Sequence, residues 1–576
     1  MRQREFNLVT TSNSEIVLQV RARGRRVLRN PVANRGTAFT HEQRAELALS
    51  GLLPSEVSTL DEQVRRTYAQ YSRSPSPLAK YIYLSQLRDR NEVLFYRVLS
   101  EHLEEMLPIV YTPTIGEAIE RFSHEYVGQR GLFLSIDHPE LVEQSLINYE
   151  LDGDDVDLVV VTDSEGILGI GDQGIGGIQI ALGKLGVYTA AAGIHPRRAV
   201  PIVLDVGTDN LGLLHSGVYL GERHARVRGP RYDEFIDEFV TAVKRQFPHA
   251  MLHWEDFGAG NAHRILHRYS DQVCTFNDDI QGTAAVVLAA VLAAVRLTGV
   301  PLAQHRVVIY GAGTAGVGIA DIIRESMVRA GLDADDCYQP FYAFNRRGLI
   351  VEGSRGVRDF QRPYARTRAE VDGWQVANPH AITLQEVVEA AQPTILIGTS
   401  AQTGAFSRPV VTAMAAGCER PIILPLSNPT SRSEANPADL LEWTDGRALI
   451  ATGSPYGTIR HDGVYHTIAQ ANNALIFPGL GLGVSVVRAR RVSDEMIHAA
   501  AAALAGLVNE YRPGASLLPA MSDLRLVAAA VALAVARTAE EQGLARTPMT
   551  DPINDIYQRM WKPEYPRLEV LPVEDE

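Results

Sequence analysis

Two acidic pairs in this sequence are suited to binding a metal ion. Glu255 and Asp256 occur in the run His-Trp-Glu-Asp-Phe-Gly, and Asp278 and Asp279 occur in Phe-Asn-Asp-Asp-Ile-Gln-Gly-Thr. Each pair follows a short apolar run, which predicts a buried β-strand, and precedes a segment with a helical pattern. We therefore expect the four carboxylates at the C-terminal ends of neighbouring strands, where open α/β sheets bind ligands. Carboxylate oxygens favour Mg²⁺ or Mn²⁺ over zinc, which prefers His and Cys.

A glycine-rich turn further along the chain predicts a dinucleotide-binding site. Gly311, Gly313 and Gly316 follow the apolar run Val307–Tyr310 and precede a helical pattern. In that context the Gly-x-Gly-x-x-Gly spacing allows a tight turn and brings the backbone close to a pyrophosphate at a helix N-terminus. A hard divalent metal beside a dinucleotide site indicates oxidation of a hydroxy acid that chelates the metal.

The residues after the next predicted strand bear on the choice between NAD and NADP. Asn345 stands where an acidic residue would bind the ribose 2′-hydroxyl, and Arg346 and Arg347 follow it. Losing the acid and gaining two arginines would permit a 2′-phosphate. The alternative is that both arginines lie on a solvated loop, so the sequence leaves NAD and NADP open.

The composition is that of a soluble globular protein. The 576 residues are enough for two or three domains, and the net charge of −13 argues against a nucleic-acid partner. The longest apolar runs are too short to span a bilayer, and the N-terminus lacks the apolar core of a signal peptide, so no membrane partner is expected. The three cysteines show no paired spacing, which fits a reducing cytosol and a cytoplasmic location.

The apolar patterns predict an α/β fold in three parts. Residues 1–130 should form a helical N-terminal domain, in which Thr114 and Glu117 cap a helix that runs to about Tyr126. Residues 131–280 should form an α/β substrate and metal domain, completed by residues 470–545. Residues 281–469 have the spacing of a Rossmann-like, doubly wound domain, and residues 546–576 are predicted to be a tail. Strands are predicted at 158–162, 200–204, 250–254, 307–310, 341–344, 394–397, 422–426 and 448–451, and helices at 178–192, 233–247, 493–508 and 523–542.

Long motifs in a fixed order support a family assignment. They lie at residues 111–118, 131–135, 167–177, 183–185, 254–258, 276–283, 425–430, 470–473 and 477–479. Together they resemble the malic enzyme family over nearly the whole chain. The resemblance implies oxidative decarboxylation of L-malate to pyruvate and CO₂ with NAD or NADP and Mg²⁺ or Mn²⁺. It also implies a homodimer or homotetramer.

The resemblance assigns roles to individual residues. It implies that Glu255, Asp256 and Asp279 bind the metal. Lys184 would be the general base for the C2 hydroxyl, with Asp278 beside it, and Tyr111 would be the acid that protonates the enol. The amides that would hold substrate and the nicotinamide ribose are Asn428 and Asn473, with Asn472 as the alternative to Asn473.

Each catalytic assignment has a structural alternative. A lysine acts as a base near neutrality only if burial or a nearby cation lowers its pKa from about 10. Lys184 lies within a predicted helix, where a lone lysine is usually solvated, and Tyr111 could be an interface aromatic. Asp278 could cap the helix that follows it, and His253 is interpreted as a core residue.

One position departs from the family pattern. Most malic enzymes carry an arginine immediately before Ile-Leu-Gly, where it grips a substrate carboxylate, whereas this chain has Gly166. The run Ser-Glu-Gly-Ile-Leu-Gly-Ile-Gly-Asp looks like malolactic enzymes, which convert L-malate to L-lactate. Malic enzyme is favoured because the motifs at 111–118 and 131–135 look like malic enzymes proper. Arg121 or Arg130 is the candidate replacement cation, and a non-catalytic dinucleotide-binding regulator is the remote alternative.

Overall fold

The computed structural model describes residues 5–10, 16–128, 130–151, 153–167, 169–508 and 511–572. Short helices dominate the N-terminal region but do not fill it. Its elements are β1 (Phe6–Thr10), β2 (Ile16–Val20), α1 (Arg25–Arg29), α2 (His41–Glu46), α3 (Leu60–Ser72), α4 (Pro77–Arg90), α5 (Glu92–Glu101), α6 (Leu103–Val110), α7 (Thr114–Glu120) and α8 (Phe122–Glu125).

The predicted capping box at Thr114 is wrong. Thr114 is the first residue of α7, the N-cap is Pro113, and no side chain caps the helix. The helix also ends at Glu120, and residues Phe122–Glu125 form a separate turn of helix before Tyr126. Pro113 fixes its own φ and cannot donate a backbone hydrogen bond, so the helix begins directly after it.

The first parallel sheet carries the acidic pairs. Its region comprises β3 (Leu132–Ser135), α9 (Val142–Asn148), β4 (Leu158–Thr162), α10 (Ile178–Ala192), β5 (Ala199–Asp205), α11 (Leu211–His215), α12 (Pro230–Gln246), β6 (Met251–Trp254), α13 (Ala259–Tyr269) and β7 (Thr275–Asn277). The strand order is β3-β5-β4-β6-β7, and all the pairs are parallel. Strands β4 and β5 are buried along their whole length, as continuous apolar runs in a parallel sheet require.

A second sheet follows a long apolar helix. A π-helical turn, Asp278–Gly282, leads into α14 (Thr283–Thr298). The later elements are β8 (Val307–Tyr310), α15 (Thr314–Arg329), β9 (Phe341–Asn345), β10 (Gly348–Leu349), α16 (Arg368–Val371), α17 (Leu384–Ala391), β11 (Ile395–Gly398), α18 (Arg408–Gly417), β12 (Ile422–Pro425), α19 (Pro437–Trp443), β13 (Leu449–Thr452), β14 (Ile459–His461), β15 (Val464–His466) and β16 (Ala469–Gln470). The strand order β10-β9-β8-β11-β12-β13-β16 places the chain reversal between β8 and β11, which is the ligand-binding position of a doubly wound sheet.

The C-terminal elements return to the other parts of the chain. They are α20 (Phe477–Val487), α21 (Asp494–Ala505), α22 (Leu524–Glu541), α23 (Pro552–Arg559) and β17 (Arg567–Val570). One continuous apolar core joins α20 and α22 to α10, α14 and the N-terminal helices. Strand β17 pairs with β2, and β2 pairs with β1, so the region predicted to be a tail contains a helix and a strand that completes a sheet.

One helical stretch, Asp278–Thr298, is long and apolar enough to cross a membrane by length and composition. In the folded protein 67% of this apolar stretch is buried. The core helix of a soluble protein can have the same length and apolar composition. Because α14 packs within the common apolar core, this stretch is weak evidence for a membrane span.

Candidate active site

The structure brings the two acidic pairs together. Glu255 and Asp256 directly follow β6, while Asp278 and Asp279 follow its neighbour β7. Oxygens of Glu255, Asp256 and Asp279 all lie within 4.8 Å of one another. The backbone N–H of Asp256 also donates to Asp279 Oδ2 at 2.8 Å, so a hydrogen bond joins the two acidic pairs. Asn277, not Asp278, caps the turn that follows, so the capping alternative for Asp278 is wrong.

Burial and repulsion between neighbouring carboxylates disfavour the charged form of these groups. Burial raises the pKa of Glu255 to about 8, against the opposing effect of Lys184. Burial, followed by repulsion from Glu255 and Asp278, raises the pKa of Asp279 to about 8. Burial, followed by repulsion from Asp279 and Glu255, raises the pKa of Asp256. A cluster of four acids and one ammonium therefore favours a bound cation.

Lys184 is the one ammonium in this cluster. It lies in α10, whose residues are all buried, and its side chain is 1% exposed, so the solvated interpretation is wrong. Its Nζ lies 2.5 Å from Asp278 Oδ2 and 3.1 Å from Glu255 Oε1. Burial alone lowers the pKa of Lys184, but the two carboxylates outweigh that effect and raise it above its ordinary value. The lowered pKa that a general base requires is therefore absent while both carboxylates are charged.

Tyr111 closes the same site from the N-terminal region. It directly follows α6 and is buried, and its ring centre lies 5.1 Å from Lys184 Nζ. Burial raises the pKa of the Tyr111 hydroxyl, with Lys184 opposing the shift, so the phenol stays protonated. Phe477 covers Lys184 from another side, 4.4 Å from Nζ to the ring centre. The Lys184 ammonium therefore contacts two carboxylates and lies close to two aromatic rings.

Two buried residues that support Glu255 were not predicted as part of the site. His253 Nε2 donates to Glu255 Oε2 at 2.8 Å, and the Tyr188 hydroxyl donates to His253 Nδ1 at 2.8 Å. Burial lowers the pKa of His253 to about 3, so the ring is neutral. Sequence spacing carried a signal, because His253 shares a strand face with Glu255 and Tyr188 shares a helix face with Lys184.

The three predicted amides occupy different places. Asn473 Nδ2 donates to Asp278 Oδ2 at 2.9 Å and to Thr283 Oγ1 at 3.0 Å, so it belongs to the acidic cluster. Asn472 accepts from the backbone N–H of Ala474 and caps a short turn. Asn428 is exposed after β12, and its Oδ1 accepts from Ser454 Oγ at 2.5 Å. The structure thus separates Asn428, beside the second sheet, from Asn473.

Glu434 ties together the loops beside Asn428 and was not predicted. This fully buried carboxylate accepts from the backbone N–H and Oγ of Ser400, both at 2.8 Å, and from Ser427 Oγ at 2.6 Å. Ser400 follows β11 and Ser427 follows β12. A Cβ at Gly398 would lie 2.6 Å from Glu434 Cδ, so glycine is required there. The acid fixes two loops at the ligand-binding edge of the sheet.

The glycine turn has the geometry expected of a phosphate-binding loop. Gly311 has φ +110°, and a Cβ there would lie 2.6 Å from the Thr399 carbonyl carbon. A Cβ at Gly316 would lie 2.3 Å from the Gly311 oxygen, so both glycines are needed for close packing. At Gly313 an added Cβ would meet no described atom within 4 Å, which leaves this side of the turn open to a ligand.

The residues predicted to bear on the choice between NAD and NADP lie at the end of β9 and directly after it. Asn345 ends β9, and its Oδ1 accepts from the Arg347 backbone N–H at 2.8 Å. Arg346 and Arg347 are both exposed, and Arg347 donates to the Arg355 carbonyl at 3.2 Å. This geometry fits the interpretation of the two arginines as part of a solvated loop.

Gly166 is built into the metal-binding segment. Its backbone N–H donates to the Asp256 carbonyl at 2.9 Å, and a Cβ there would lie 2.8 Å from the Phe257 carbonyl oxygen. An arginine would require this backbone to move, and Leu168, nearby, lies outside the described residues. The two candidate replacement cations are engaged elsewhere: Arg121 with Glu117 at 3.5 Å, and Arg130 with Glu92 and Asp89.

Comparison with known proteins agrees with this architecture. The model of the malic enzyme N-terminal domain matches residues 88–270, and that of the malic enzyme NAD binding domain matches residues 280–540. NAD-dependent malic enzyme 3 of Bacillus subtilis is 53% identical over 555 residues, which cover 96% of this chain and 98% of the relative. The malolactic enzyme of Leuconostoc mesenteroides is 45% identical over 541 residues, which cover 94% and 99%. The crystal structure of the malic enzyme from Pyrococcus horikoshii matches with a TM-score of 0.51 and 25% identity, covering 79% of this chain and 89% of that one.

The chain therefore belongs to the malic enzyme family, and the sheet that carries Gly311 forms an NAD-binding domain. The predicted family and the predicted α/β fold with a Rossmann-like part are confirmed. The roles of individual residues and the predicted domain boundaries stay predictions.

The exposed Gly313 and the buried Gly316 of this turn give a pair of contrasting variants. We expect Gly313→Ala to fold with near-normal stability, because its φ of −79° suits alanine and its Cβ meets no described atom. It should lose about 1–3 kcal/mol of dinucleotide binding free energy through steric overlap with the ligand. Gly316→Ala should instead lower the melting temperature. Calorimetric NAD⁺ titration and thermal unfolding measure both effects, and unchanged NAD⁺ affinity in Gly313→Ala would contradict the assignment.

Proposed function

We propose that this chain is an NAD-dependent malic enzyme that converts L-malate to pyruvate and CO₂. The observation that carries the proposal is Lys184, buried and paired with Asp278 and Glu255 inside a cluster of carboxylates. A base, an acid and metal-binding oxygens converge there, on a chain whose other sheet binds NAD. A cytoplasmic location and a homodimer or homotetramer stay predictions of the sequence.

The residues present fit a divalent metal ion. Glu255, Asp256 and Asp279 offer hard oxygen ligands within 4.8 Å of one another, which suits Mg²⁺ or Mn²⁺. Asp278 Oδ1 is buried and lacks a hydrogen-bond partner among the described residues, so the cluster keeps acceptor capacity to spare. When bound, such an ion supplies a Lewis acid that lowers the pKa of a hydroxyl and stabilises enolate charge.

Different side chains of the protein carry out the two proton transfers. Lys184 accepts the proton of the malate C2 hydroxyl; burial lowers its pKa, but Asp278 and Glu255 raise the pKa overall, so this role requires a cation that offsets the charge of these carboxylates. The Tyr111 hydroxyl, kept protonated by burial, donates to C3 after CO₂ leaves. Asn473 holds the Asp278 carboxylate that orients Lys184, and the aromatic rings of Tyr111 and Phe477 exclude water from the ammonium.

The dinucleotide is NAD, with NADP as a second substrate. Relatives at 53% and 45% identity are named as NAD-dependent malic enzymes. In this chain Asn345 provides no acidic group to repel a 2′-phosphate, and Arg346 is exposed beside it. We therefore expect measurable NADP⁺ use alongside a preference for NAD⁺.

A malolactic reaction is the second candidate function. Gly166 replaces the arginine of most malic enzymes, and a malolactic enzyme is 45% identical to this chain. The steric fit supports this candidate, because a Cβ at Gly166 would lie 2.8 Å from the Phe257 carbonyl oxygen, beside Asp256.

Product analysis tests the reaction. With L-malate, NAD⁺ and Mn²⁺, the protein should release pyruvate and NADH in equal amounts, because the oxidised product leaves without being reduced again. The measurement follows pyruvate, lactate and NADH absorbance together, and repeats the assay with NADP⁺. Lactate formed from catalytic amounts of NAD⁺, without NADH accumulation, would replace this proposal with the malolactic reaction.

Metal binding is tested directly on chelator-treated protein. Asp279→Asn should weaken Mn²⁺ at least about 10-fold in calorimetric titration, because an amide replaces a charged ligand. The matched control is Asp271→Asn, since Asp271 is exposed and pairs only with Arg491 at 3.0 Å among the described residues. Equal Mn²⁺ affinity in both variants would remove Asp279 from the metal site.

The proton-transfer roles predict different losses. Lys184→Arg keeps a cation among the carboxylates but cannot accept a proton near neutrality, so kcat should fall by about 10²–10⁴-fold. Tyr111→Phe should slow pyruvate formation while sparing the reduction of added oxaloacetate. Tyr126→Phe, at an exposed tyrosine, is the control and should be unchanged. If Lys184→Arg turned over malate at the normal rate, another group would have to be the base.

A further inference from the structure

A second cluster of potential metal ligands lies outside the site described above. Asp137 lies two residues beyond β3, and Glu222 and His224 lie in the loop that connects α11 to α12. One ligand atom from each of these side chains lies within 4.8 Å of the other two. The cluster combines one imidazole with two carboxylates from distant parts of the sequence, so it differs from a simple acidic patch.

The orientation of His224 points to a ligand. Its Nδ1 lies 2.8 Å from the Ala225 carbonyl oxygen, and a carbonyl only accepts, so Nδ1 carries the proton. In the neutral ring, Nε2 then presents a lone pair. That atom is buried and has no hydrogen-bond partner in the described part of the chain, yet it faces Asp137 Oδ2 at 3.3 Å. A lone pair facing a carboxylate oxygen is unfavourable unless a positive charge lies between them.

Outer partners fix each of the three side chains. Ser135 Oγ donates to Glu222 Oε1 at 2.5 Å, and Arg231 donates to Asp137 Oδ1 at 2.6 Å. Each bond engages one carboxylate oxygen and leaves the other for the cluster. Together with the bond from His224 Nδ1, this is the arrangement that surrounds metal ligands in proteins, where each ligand is oriented by a further hydrogen bond.

The backbone around His224 is shaped for the ring. Gly207 has φ +83°, and a Cβ there would lie 2.6 Å from His224 Nδ1. The Thr208 N–H donates to the His224 carbonyl at 3.0 Å, and the Glu222 N–H donates to Asp205 Oδ2 at 2.8 Å. The loop is therefore tied to the end of β5 on both sides of the cluster.

We propose that Asp137, Glu222 and His224 bind a divalent transition metal of the zinc class. Ligand atoms held about 2.0–2.2 Å from one tetrahedral Zn²⁺ lie roughly 3.3–3.6 Å apart, which matches the separation of His224 Nε2 and Asp137 Oδ2. One imidazole nitrogen with two carboxylate oxygens suits Zn²⁺ or Co²⁺ better than Mg²⁺. About a third of the His224 and Asp137 side chains is exposed, so an ion can enter and water can complete its coordination.

The proposed ion has a structural role. Strand β3 is an edge strand, and the cluster joins its end to the loop between α11 and α12. The catalytic acids follow β6 and β7, and β4 lies between the two pairs of strands. Both sites thus lie at the C-terminal ends of the parallel strands but use different residues. The second ion would stabilise the edge strand β3 without taking part in the malate reaction.

The experiment is a Co²⁺ titration of the full-length, chelator-treated protein in excess Mg²⁺, followed by visible absorption and reversed with Zn²⁺. We expect a Co²⁺ absorption band in the wild type that falls at least about 10-fold in affinity in His224→Ala and in Glu222→Gln. His138→Ala is the matched control, because His138 is exposed and pairs with Glu140 at 3.3 Å. Malate turnover with Mg²⁺ should be unchanged in His224→Ala, which separates this site from the catalytic one.

Two outcomes would overturn the proposal. A Co²⁺ spectrum that is the same in the wild type and His224→Ala would assign the bound ion to other residues. Absence of Co²⁺ binding in the wild type, with normal folding and activity, would mean that a proton occupies the cluster as an imidazolium–carboxylate pair. Glu222→Gln keeps the size of the side chain. If His224→Ala failed to fold, the Co²⁺ affinity of Glu222→Gln would still test the proposal.

Discussion

The arrangement of this protein depends on one electrostatic constraint, the packing of three buried carboxylates and the half-buried Asp279 around one ammonium. Glu255, Asp256, Asp278 and Lys184 are almost completely buried, and α10 and α14 surround them with apolar side chains. Charged groups withdrawn from water need partners, and unpaired charges of one sign destabilise a folded protein. Lys184 offsets part of the negative charge, so the cluster is most stable with a further cation. The charge balance of the cluster thus supports the proposed metal ion.

This constraint explains why distant segments meet here. Tyr111 arrives from the N-terminal helices, Lys184 from α10, the acids from β6 and β7, and Asn473 from the segment before α20. Each contributes a hydrogen bond, a charge or an aromatic ring to the ammonium or to the carboxylates around it. The apolar core that joins α10, α14, α20 and α22 keeps these segments in register, because close-packed interiors transmit small displacements.

The sequence predicted what is locally encoded and missed what depends on tertiary contacts. Strands such as Val307–Tyr310 and the helix Ile178–Ala192 were predicted because continuous apolar runs bury on both faces. The pairing of β17 with β2 was missed, since more than 540 residues separate the partners. The capping residue before α7 was misplaced because Pro113 occupies the N-cap position and the helix begins at Thr114. His253 and Glu434 were not assigned to a site from the sequence, because only the fold places them against Glu255 and against the loops after β11 and β12.

Gly166 shows how the metal segment and the substrate pocket are coupled. In this backbone the residue before Ile167 cannot carry a side chain without approaching the Phe257 carbonyl, whose segment directly follows the metal acids. The Gly166 backbone N–H donates to the Asp256 carbonyl, so this loop packs directly against the segment of the predicted metal ligands. An arginine at this position could make a bidentate contact to a carboxylate, whereas a glycine cannot. Position 166 is therefore the place in the chain where the proposed malic reaction and its malolactic alternative make different demands on one residue.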